Sequence, residues 1–183
     1  MSAPHPLLAP DPGAPAPDSS AGTVGVRVWR VEDAPVLAQA WAEADVARWT
    51  GVPADRSVAA AERWIRGETE RRERGIALDL AVTDLSDHRV VGEVGLGPIQ
   101  WDRGRAMLGY WTAPAERCRG VATEAVRLLA AWTRSIDGID QLVAETAGGN
   151  PASGAVLRAN GFDLVVERGD RRAWTLATAG QRP

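Results

Sequence analysis

The order of apolar and amphipathic segments predicts one α+β domain, a mixed but mostly antiparallel twisted sheet of about six to seven strands flanked by about four helices. Three observations lead to this prediction. One strand precedes two helical segments, and three closely spaced strands follow them, as antiparallel neighbours do. A strand, helix, strand sequence comes next and requires one parallel crossover. No internal repeat or second composition zone divides the chain.

The first predicted elements are one strand and two helices. Residues 24–29 read as a strand, and residues 32–47 as a single helix that tolerates Pro35 in its first turn. Residues 57–74 form the second helix, with Ser57 as its N-cap and Gly75 as its terminator.

The remaining elements alternate between strands and helices. Two strands flank a hairpin turn of sequence Asp-Leu-Ser-Asp-His, and a third follows a polar corner. The next helix carries apolar residues at helical spacing, and a short β-rich strand bounded by glycines follows it. The predicted strands cover residues 76–83, 89–99, 105–112, 141–146, 162–167 and 173–177, and the helices cover 120–135 and 150–160.

Residue types that are missing exclude several chemistries. All 21 basic residues are arginines, so there is no P-loop lysine, pyridoxal Schiff base or lysine nucleophile. His5 lies in a proline-rich segment and His88 in a predicted turn, which leaves no basis for a histidine metal site or a Ser-His-Asp triad. Cys118 is the one cysteine, so no intrachain disulfide forms. We therefore expect no metal.

Length and composition predict a single domain with two short extensions. With 183 residues, 45% hydrophobic residues and a net charge of −3, the chain can bury an ordinary core but is poorly suited to nucleic acid. Residues 1–22 are rich in Pro, Ala, Ser and Asp, and we expect a disordered leader rather than a signal peptide or membrane span. Residues 23–178 are the expected domain and 179–183 a short tail, in a cytoplasmic protein that contacts no membrane.

A strand-to-helix junction is the strongest local signal. The strand that begins near Leu108 ends in a proline turn, and the chain then passes Arg117, Arg119 and Gly120 before the next helix. The first turn of a helix has unpaired N–H groups and the positive end of the helix dipole. Gly120 and Ala122 keep side chains away from these donors. The junction therefore predicts a polyanion site, such as a phosphate cradle.

Two long motifs together resemble a known family. The stretch LGYWTAPAERCRGVATEAV begins at Leu108, and AETAGGNPASGAVLRANGF ends at Phe162. They resemble the GCN5-related N-acetyltransferases (GNAT), and within them the branch that acetylates ribosomal-protein N-termini at alanine or serine. The resemblance covers residues 26–176. The family pattern (Gln/Arg)-x-x-Gly-x-(Gly/Ala) falls on Arg117, Gly120 and Ala122.

The second motif and one departure complete the comparison of residues. The second family motif is Asn-x-x-Ser, followed by a leucine and then by Gly-Phe. Its Asn and Ser correspond to Asn150 and Ser153, its leucine to Leu157, and its Gly-Phe to the pair that ends in Phe162. Cys118 stands where the family usually has glycine. We expect the turn to tolerate this cysteine provided that it adopts a negative φ.

The resemblance implies acetyl-CoA as co-substrate. Its pyrophosphate would lie on backbone amides of the turn, and its pantetheine arm between diverging strands that end near Thr112 and Glu145. The amides of Trp111 and Thr112 would hold the developing oxyanion. Ser153 would protonate the departing thiolate, although helix capping explains Asn150 and Ser153 equally well. The cofactor-binding residues implied are Trp111, Thr112, Arg117, Cys118, Arg119, Gly120, Val121, Ala122, Thr123, Asn150 and Ser153.

Glu93 is the candidate base. It is the one acidic residue in an apolar strand, where burial would raise its pKa toward neutrality. The alternatives are an exposed position on an alternating strand and a water chain that carries the proton instead. Trp49 and Trp101 are the candidate walls of the acceptor site.

These observations predict an N-acetyltransferase that moves an acetyl group directly to a primary amine, with a protein N-terminal α-amine as one acceptor class. A small amine, such as an antibiotic or polyamine, is the alternative acceptor. A catalytically silent acyl-CoA-binding module is the alternative from another class. The protein is expected to be a monomer or homodimer.

Overall fold

The computed structural model describes residues 23–178, in which seven strands form one mixed sheet. The spatial order of the strands is β1-β2-β3-β4-β5-β7-β6, and all neighbours are antiparallel except β4 and β5. The predicted α+β class and the single parallel crossover are confirmed. The strands are β1 (Val24–Val28), β2 (Leu78–Asp84), β3 (Val90–Gln100), β4 (Arg105–Thr112), β5 (Gln141–Ala147), β6 (Asp163–Arg168) and β7 (Arg171–Ala177).

Five α-helices accompany the sheet in the described range. They are α1 (Ala34–Ala42), α2 (Ala44–Trp49), α3 (Val58–Glu73), α4 (Val121–Thr133) and α5 (Pro151–Ala159). The Ser57 hydroxyl caps α3 by accepting from the Ala60 N–H at 3.2 Å, as predicted. Gly75 ends that segment in the left-handed region with φ 63°. No helix of residues 23–178 is long and apolar enough to span a membrane.

The predicted helix over residues 32–47 is wrong in one respect, because the chain breaks it at Glu43. That residue has an extended backbone, with φ −64° and ψ 132°, and separates α1 from α2. Trp41 and Val46 are both buried in the same apolar cluster. Five residues along a continuous helix amount to about 500° of rotation, which would point these two side chains in different directions. The break lets both of them pack.

Two apolar clusters cover the two faces of the sheet. The larger one packs α4 and α5 on one face and includes Leu80, Val94 and Leu129. The smaller one packs α1 and α3 on the other face and includes Ala81 and Trp111. Successive residues of a strand point to opposite faces. Strands β2 and β4 therefore contribute to both clusters.

The parallel strands β4 and β5 stay together over only a short distance. Their pairing runs from Arg105 opposite Gln141 to Met107 opposite Val143. Beyond this point β5 remains paired with β7, and β4 with β3. The facing edges of β4 and β5 are therefore free of each other for the rest of their length, which opens a gap in the middle of the sheet.

Candidate active site

A cavity of about 1500 Å³ occupies this gap and reaches both faces of the sheet. On one side it is lined by Glu93 and Gly109, whose side-chain positions face α1 and α3. On the other side it is lined by Tyr110 and Ser153, next to α4 and α5. The cavity also reaches the turn before α4 at Gly120. The candidate base, the candidate acid and the phosphate cradle thus share one space.

The turn before α4 has the form of an anion cradle. Gly120 is the N-cap of α4 and has φ 82°, a conformation that glycine adopts without strain. A Cβ placed on Gly120 would meet nothing within 4 Å, so the space in front of the helix N-terminus is open. The open N-terminus of α4 therefore lies at the sequence motif that predicts a phosphate site.

Cys118 departs from the expectation of a negative φ. Its φ is +60°, in the left-handed region where a side chain carries a cost of roughly 1–2 kcal/mol. The thiol is exposed. The backbone at Cys118 therefore has a conformation that favours glycine. Ion pairs of the neighbouring arginines accompany this turn.

Those ion pairs involve both arginines of the turn. The Arg117 guanidinium donates to Asp45 at 2.8 Å and to the Thr112 carbonyl at 3.3 Å. The Arg119 guanidinium donates to the buried carboxylate of Glu116 at 2.7 Å. The two arginines connect the turn to its surroundings, which leaves the backbone N–H groups as the donors aimed at the cavity.

The N-terminus of α5 holds Asn150 and Ser153 in different roles. The Asn150 side-chain oxygen accepts from the Ser153 backbone N–H at 3.2 Å, so Asn150 caps the helix. The Ser153 hydroxyl lies instead 2.7 Å from the Tyr110 hydroxyl, which is also 3.0 Å from the Ser153 carbonyl. Burial raises the pKa of Tyr110 to about 12 and keeps it protonated. Capping therefore needs only the backbone of Ser153, and its hydroxyl is available for chemistry.

Glu93 lies in the middle of the sheet, opposite Ala81 on β2 and Trp111 on β4. The residue keeps some exposure to the cavity, but its Oε2 atom is fully buried. Within the described range, three buried polar atoms around it find no hydrogen-bond partner: Glu93 Oε2, Trp29 Nε1 and Trp111 Nε1. The two indole N–H groups nevertheless lie close enough to the Glu93 carboxylate to favour its charged form, so the three groups offset part of one another's burial cost.

The electrostatics of Glu93 suit a base. Burial raises its pKa to about 8, and the negative charge of Asp79 adds to the rise. The nearby indole N–H groups of Trp111 and Trp29 and the charge of Arg71 act in the opposite direction. A carboxylate with a pKa near the working pH accepts and releases a proton readily. The exposed-face alternative for Glu93 does not match this burial.

Three residues of the site were missed by sequence reasoning. Asp79 and Tyr110 line the cavity, and the indole of Trp29 lies near the carboxylate of Glu93. Asp79 had a detectable signal, since it is a charged residue in an otherwise apolar strand, as Glu93 is. Tyr110 had none, because only its contact with α5 distinguishes it from a core residue.

The remaining predicted residues separate into two groups. Trp111 and Thr112 line the cavity at the open edge of β4, and Thr112 Oγ1 is buried without a partner inside the described range. Trp49 also lines the cavity, with the Arg48 guanidinium 4.4 Å from its ring. Trp101 is not among the described residues that line it, and its indole N–H donates to the Gly75 carbonyl at 2.7 Å. Trp101 is therefore left out of the acceptor site proposed below.

Comparisons with solved structures agree with this architecture. The ribosomal-protein-S5-alanine acetyltransferase from Vibrio fischeri superposes with a TM-score of 0.75 at 18% identity, over 88% of this chain and 97% of that chain. RimL, a ribosomal L7/L12 α-N-protein acetyltransferase solved with coenzyme A, gives 0.77 at 19%, over 88% and 97%. A spermidine N-acetyltransferase from Vibrio cholerae, solved with CoA and spermine, gives 0.73 at 14%, over 85% and 96%.

The sequence itself was compared in two further ways. A search among curated proteins found no match. The family model described as the acetyltransferase (GNAT) domain matches residues 23–163, which is most of the chain and includes the gap, the cradle and the α5 N-terminus. The chain therefore belongs to the GNAT acetyltransferase family.

Proposed function

We propose that this protein is an acetyl-CoA-dependent N-acetyltransferase that acts directly on a primary amine, with a protein N-terminal α-amine as its acceptor. One observation carries the proposal. A buried carboxylate, Glu93, and an available hydroxyl, Ser153, line the same cavity from opposite faces of the sheet, at a gap between two parallel strands. Direct transfer needs a proton acceptor on one side of the thioester and a proton donor on the other.

The residues present fit acetyl-CoA, which supplies the acetyl group as a thioester. The open N-terminus of α4 at Gly120 fits a pyrophosphate, and the free edge of β4 at Trp111 and Thr112 offers backbone groups to an extended arm. The unpartnered Thr112 hydroxyl adds a polar group on the same edge. In this arrangement the residues from Arg117 to Thr123 bind phosphate, while Asn150 keeps α5 in place.

The proton transfers can be assigned to residues of the chain. Glu93 takes one proton from the acceptor ammonium, which frees the nitrogen lone pair to form the new N–C bond. The C–S bond breaks, and Ser153 gives a proton to the sulfur. Tyr110 is positioned to resupply Ser153, because the two hydroxyls lie 2.7 Å apart. The nitrogen loses its second proton to solvent. Exchange with solvent then returns the proton held by Glu93 to the Ser153–Tyr110 pair, so one amide, one thiol and one released proton result.

An N-terminal α-amine is the preferred acceptor because two of the similar structures are acetyltransferases of ribosomal proteins. A polyamine is the second candidate, supported by the carboxylates Asp79 and Glu93 in the cavity and by the likeness to the spermidine enzyme.

A panel of amines tests the proposal. The purified protein is given acetyl-CoA with peptides that begin with alanine or serine, with spermidine and with an aminoglycoside, and thiol release is followed together with product mass. The same peptides carrying an N-terminal acetyl group are the matched controls. We expect turnover with the free peptides and none with the controls. Turnover with spermidine alone would establish the second candidate, and binding of acetyl-CoA without turnover of any amine would establish a silent binding module.

A further inference from the structure

Asp79 is a carboxylate of the cavity that the proposed mechanism leaves without a role. It lies on β2 and pairs with Gly95 of β3, whereas Glu93 of β3 pairs with Ala81. Gly95 is two residues from Glu93, so Asp79 and Glu93 lie on the same face of the sheet as diagonal neighbours. Diagonal neighbours of this kind have side chains within reach of one another. Asp79 lines the cavity with its side chain 22% exposed. The two carboxylates therefore face the same small volume.

Glycines keep the space beside Asp79 open. Gly95 pairs with Asp79 on one side and with Gly109 on the other, so two adjacent positions of this face have no side chain. A Cβ on Gly95 would lie 2.6 Å from Asp79 Oδ1, whereas a Cβ on Gly109 would meet nothing within 4 Å. We call the surface over Gly95 and Gly109, between Asp79 and Glu93, the acceptor lane. It leads along the sheet to the Glu93 carboxylate.

The charges around the acceptor lane do not cancel once Glu93 is ionised, above its pKa of about 8. The cluster then contains three carboxylates, Glu68, Asp79 and Glu93, against two guanidinium groups. Arg72 is 3.7 Å from Glu68. Arg71 is 3.5 Å from Asp79 Oδ2 and is shared with Trp64, since it lies 4.6 Å from the ring and donates to the backbone carbonyl at 3.4 Å. One monovalent cation would complete the charge balance.

We propose that Asp79 binds the ammonium group of the acceptor and that the acceptor lane admits an amine with one positive charge. This inference rests on the proposed function and narrows its acceptor class. Asp79 holds the cation, while Glu93, deeper in the sheet, takes the proton. A polyamine carries a second positive charge, and this cluster has no further unbalanced carboxylate to bind it.

Binding measured without turnover tests the role of Asp79. Calorimetry in the presence of CoA measures the binding of a peptide that begins with alanine and of the same peptide with an acetylated N-terminus. The proteins compared are the parent, Asp79→Asn and the control Asp102→Asn. The Asp102 side chain is exposed and lies outside the cavity. We expect the parent and Asp102→Asn to prefer the free peptide, and Asp79→Asn to bind it roughly 10- to 100-fold more weakly, as for loss of a charged hydrogen bond. CoA affinity is expected to stay unchanged. Unchanged peptide affinity in Asp79→Asn, or only a shifted pH–rate profile, overturns the proposal.

A second variant tests the acceptor lane independently of Asp79. Gly109→Val places its side chain in open space, so we expect the protein to fold and bind CoA normally while peptide binding is lost. Normal peptide binding by Gly109→Val contradicts the acceptor lane. Failure of the proposed function gives a different result, because the parent protein would then bind the free peptide without acetylating it. A parent protein that binds no amine overturns both proposals.

Discussion

The Tyr110 hydroxyl of β4 lies 2.7 Å from the Ser153 hydroxyl of α5 and thereby connects the open edge of β4 to the helix across the gap. Tyr110 has a single hydroxyl proton, and the Ser153 carbonyl at 3.0 Å competes with the Ser153 hydroxyl for it. When Ser153 gives up its own proton, Tyr110 can donate to Ser153 Oγ instead. We infer that the pair acts as a short proton relay, because burial raises the pKa of Tyr110 to about 12 and Tyr110 therefore holds a proton that it can give to Ser153.

Removal of the Ser153 hydroxyl should affect chemistry but not fold. We expect Ser153→Ala to lower kcat on the order of a hundredfold with little change in the KM for acetyl-CoA, as for a general acid. The helix cap survives, because Asn150 accepts from the Ser153 backbone N–H. Steady-state kinetics and thermal unfolding of the same preparation check this. An unchanged kcat would show that Ser153 serves the helix alone.

Tyr110→Phe tests the outer member of the relay. The substitution removes one hydroxyl from a residue whose ring packs against the larger core cluster. We expect kcat to fall by about tenfold, less than in Ser153→Ala, since the reaction loses one hydrogen bond while Ser153 is still present. Combining the two variants should add little to the loss in Ser153→Ala. Fully additive losses in the double variant would contradict a relay.

Glu93→Gln tests the base. We expect acetyl-CoA affinity to persist and turnover to fall by about one to three orders of magnitude. With a pKa of about 8 in the free protein, the parent kcat/KM should rise with pH and level off above that value. In the variant the rate should continue to rise as free amine accumulates, without that inflection. Parent-like rate and pH profile in the variant would favour a water chain as the base.

The same carboxylate should make stability depend on pH. Between its unfolded value near 4.5 and its folded pKa of about 8, the native state holds a proton that the unfolded chain has lost. The free energy of unfolding therefore falls as pH rises through this window. We expect Glu93→Gln to lack this decline and to gain roughly 1–4 kcal/mol over the parent between pH 5 and pH 8. Urea unfolding at several pH values measures it, and parallel curves for both proteins would rule it out.

Cys118→Gly should stabilise the protein by about 0.5–1 kcal/mol, because glycine adopts the left-handed conformation at φ +60° without the side-chain penalty. The greater conformational freedom of glycine in the unfolded chain offsets part of this gain. Cys118→Ser is the matched control, since it changes the thiol and keeps the strain. Chemical unfolding of the three proteins measures the difference. Equal stability of Cys118→Gly and Cys118→Ser would show that the turn carries no strain.

Gly120→Glu tests the cradle itself. The new side chain would place bulk and a negative charge at the N-terminus of α4, in a backbone conformation of φ 82°. We expect calorimetry to show acetyl-CoA affinity reduced by at least about tenfold, with the domain still folded. Gly120→Ala imposes the backbone cost without charge and separates the two causes. Parent-like affinity in folded Gly120→Glu would dispose of the phosphate site.

The sequence by itself determined the order of the strands, the parallel crossover, the cap at Ser57 and the strand-to-helix junction at Gly120. These features depend on local periodicity, on turn chemistry and on spacing within a few residues, all of which are visible in one dimension. It also brought Glu93 and Ser153 forward as candidates. The residue type and the position in a motif predicted which chemistry these two side chains could perform. They did not predict which residues would surround them.

Only the tertiary structure decided what those residues face. The break at Glu43 arises because Trp41 and Val46 must reach one apolar cluster. The burial of Glu93 depends on α1 and α3 covering its face of the sheet. The electrostatic influence of Asp79 on Glu93 and the contact of Ser153 with Tyr110 arise from strand register and helix docking between residues far apart in the chain. Such contacts depend on distances set by the whole fold, and no local pattern of residues encodes them.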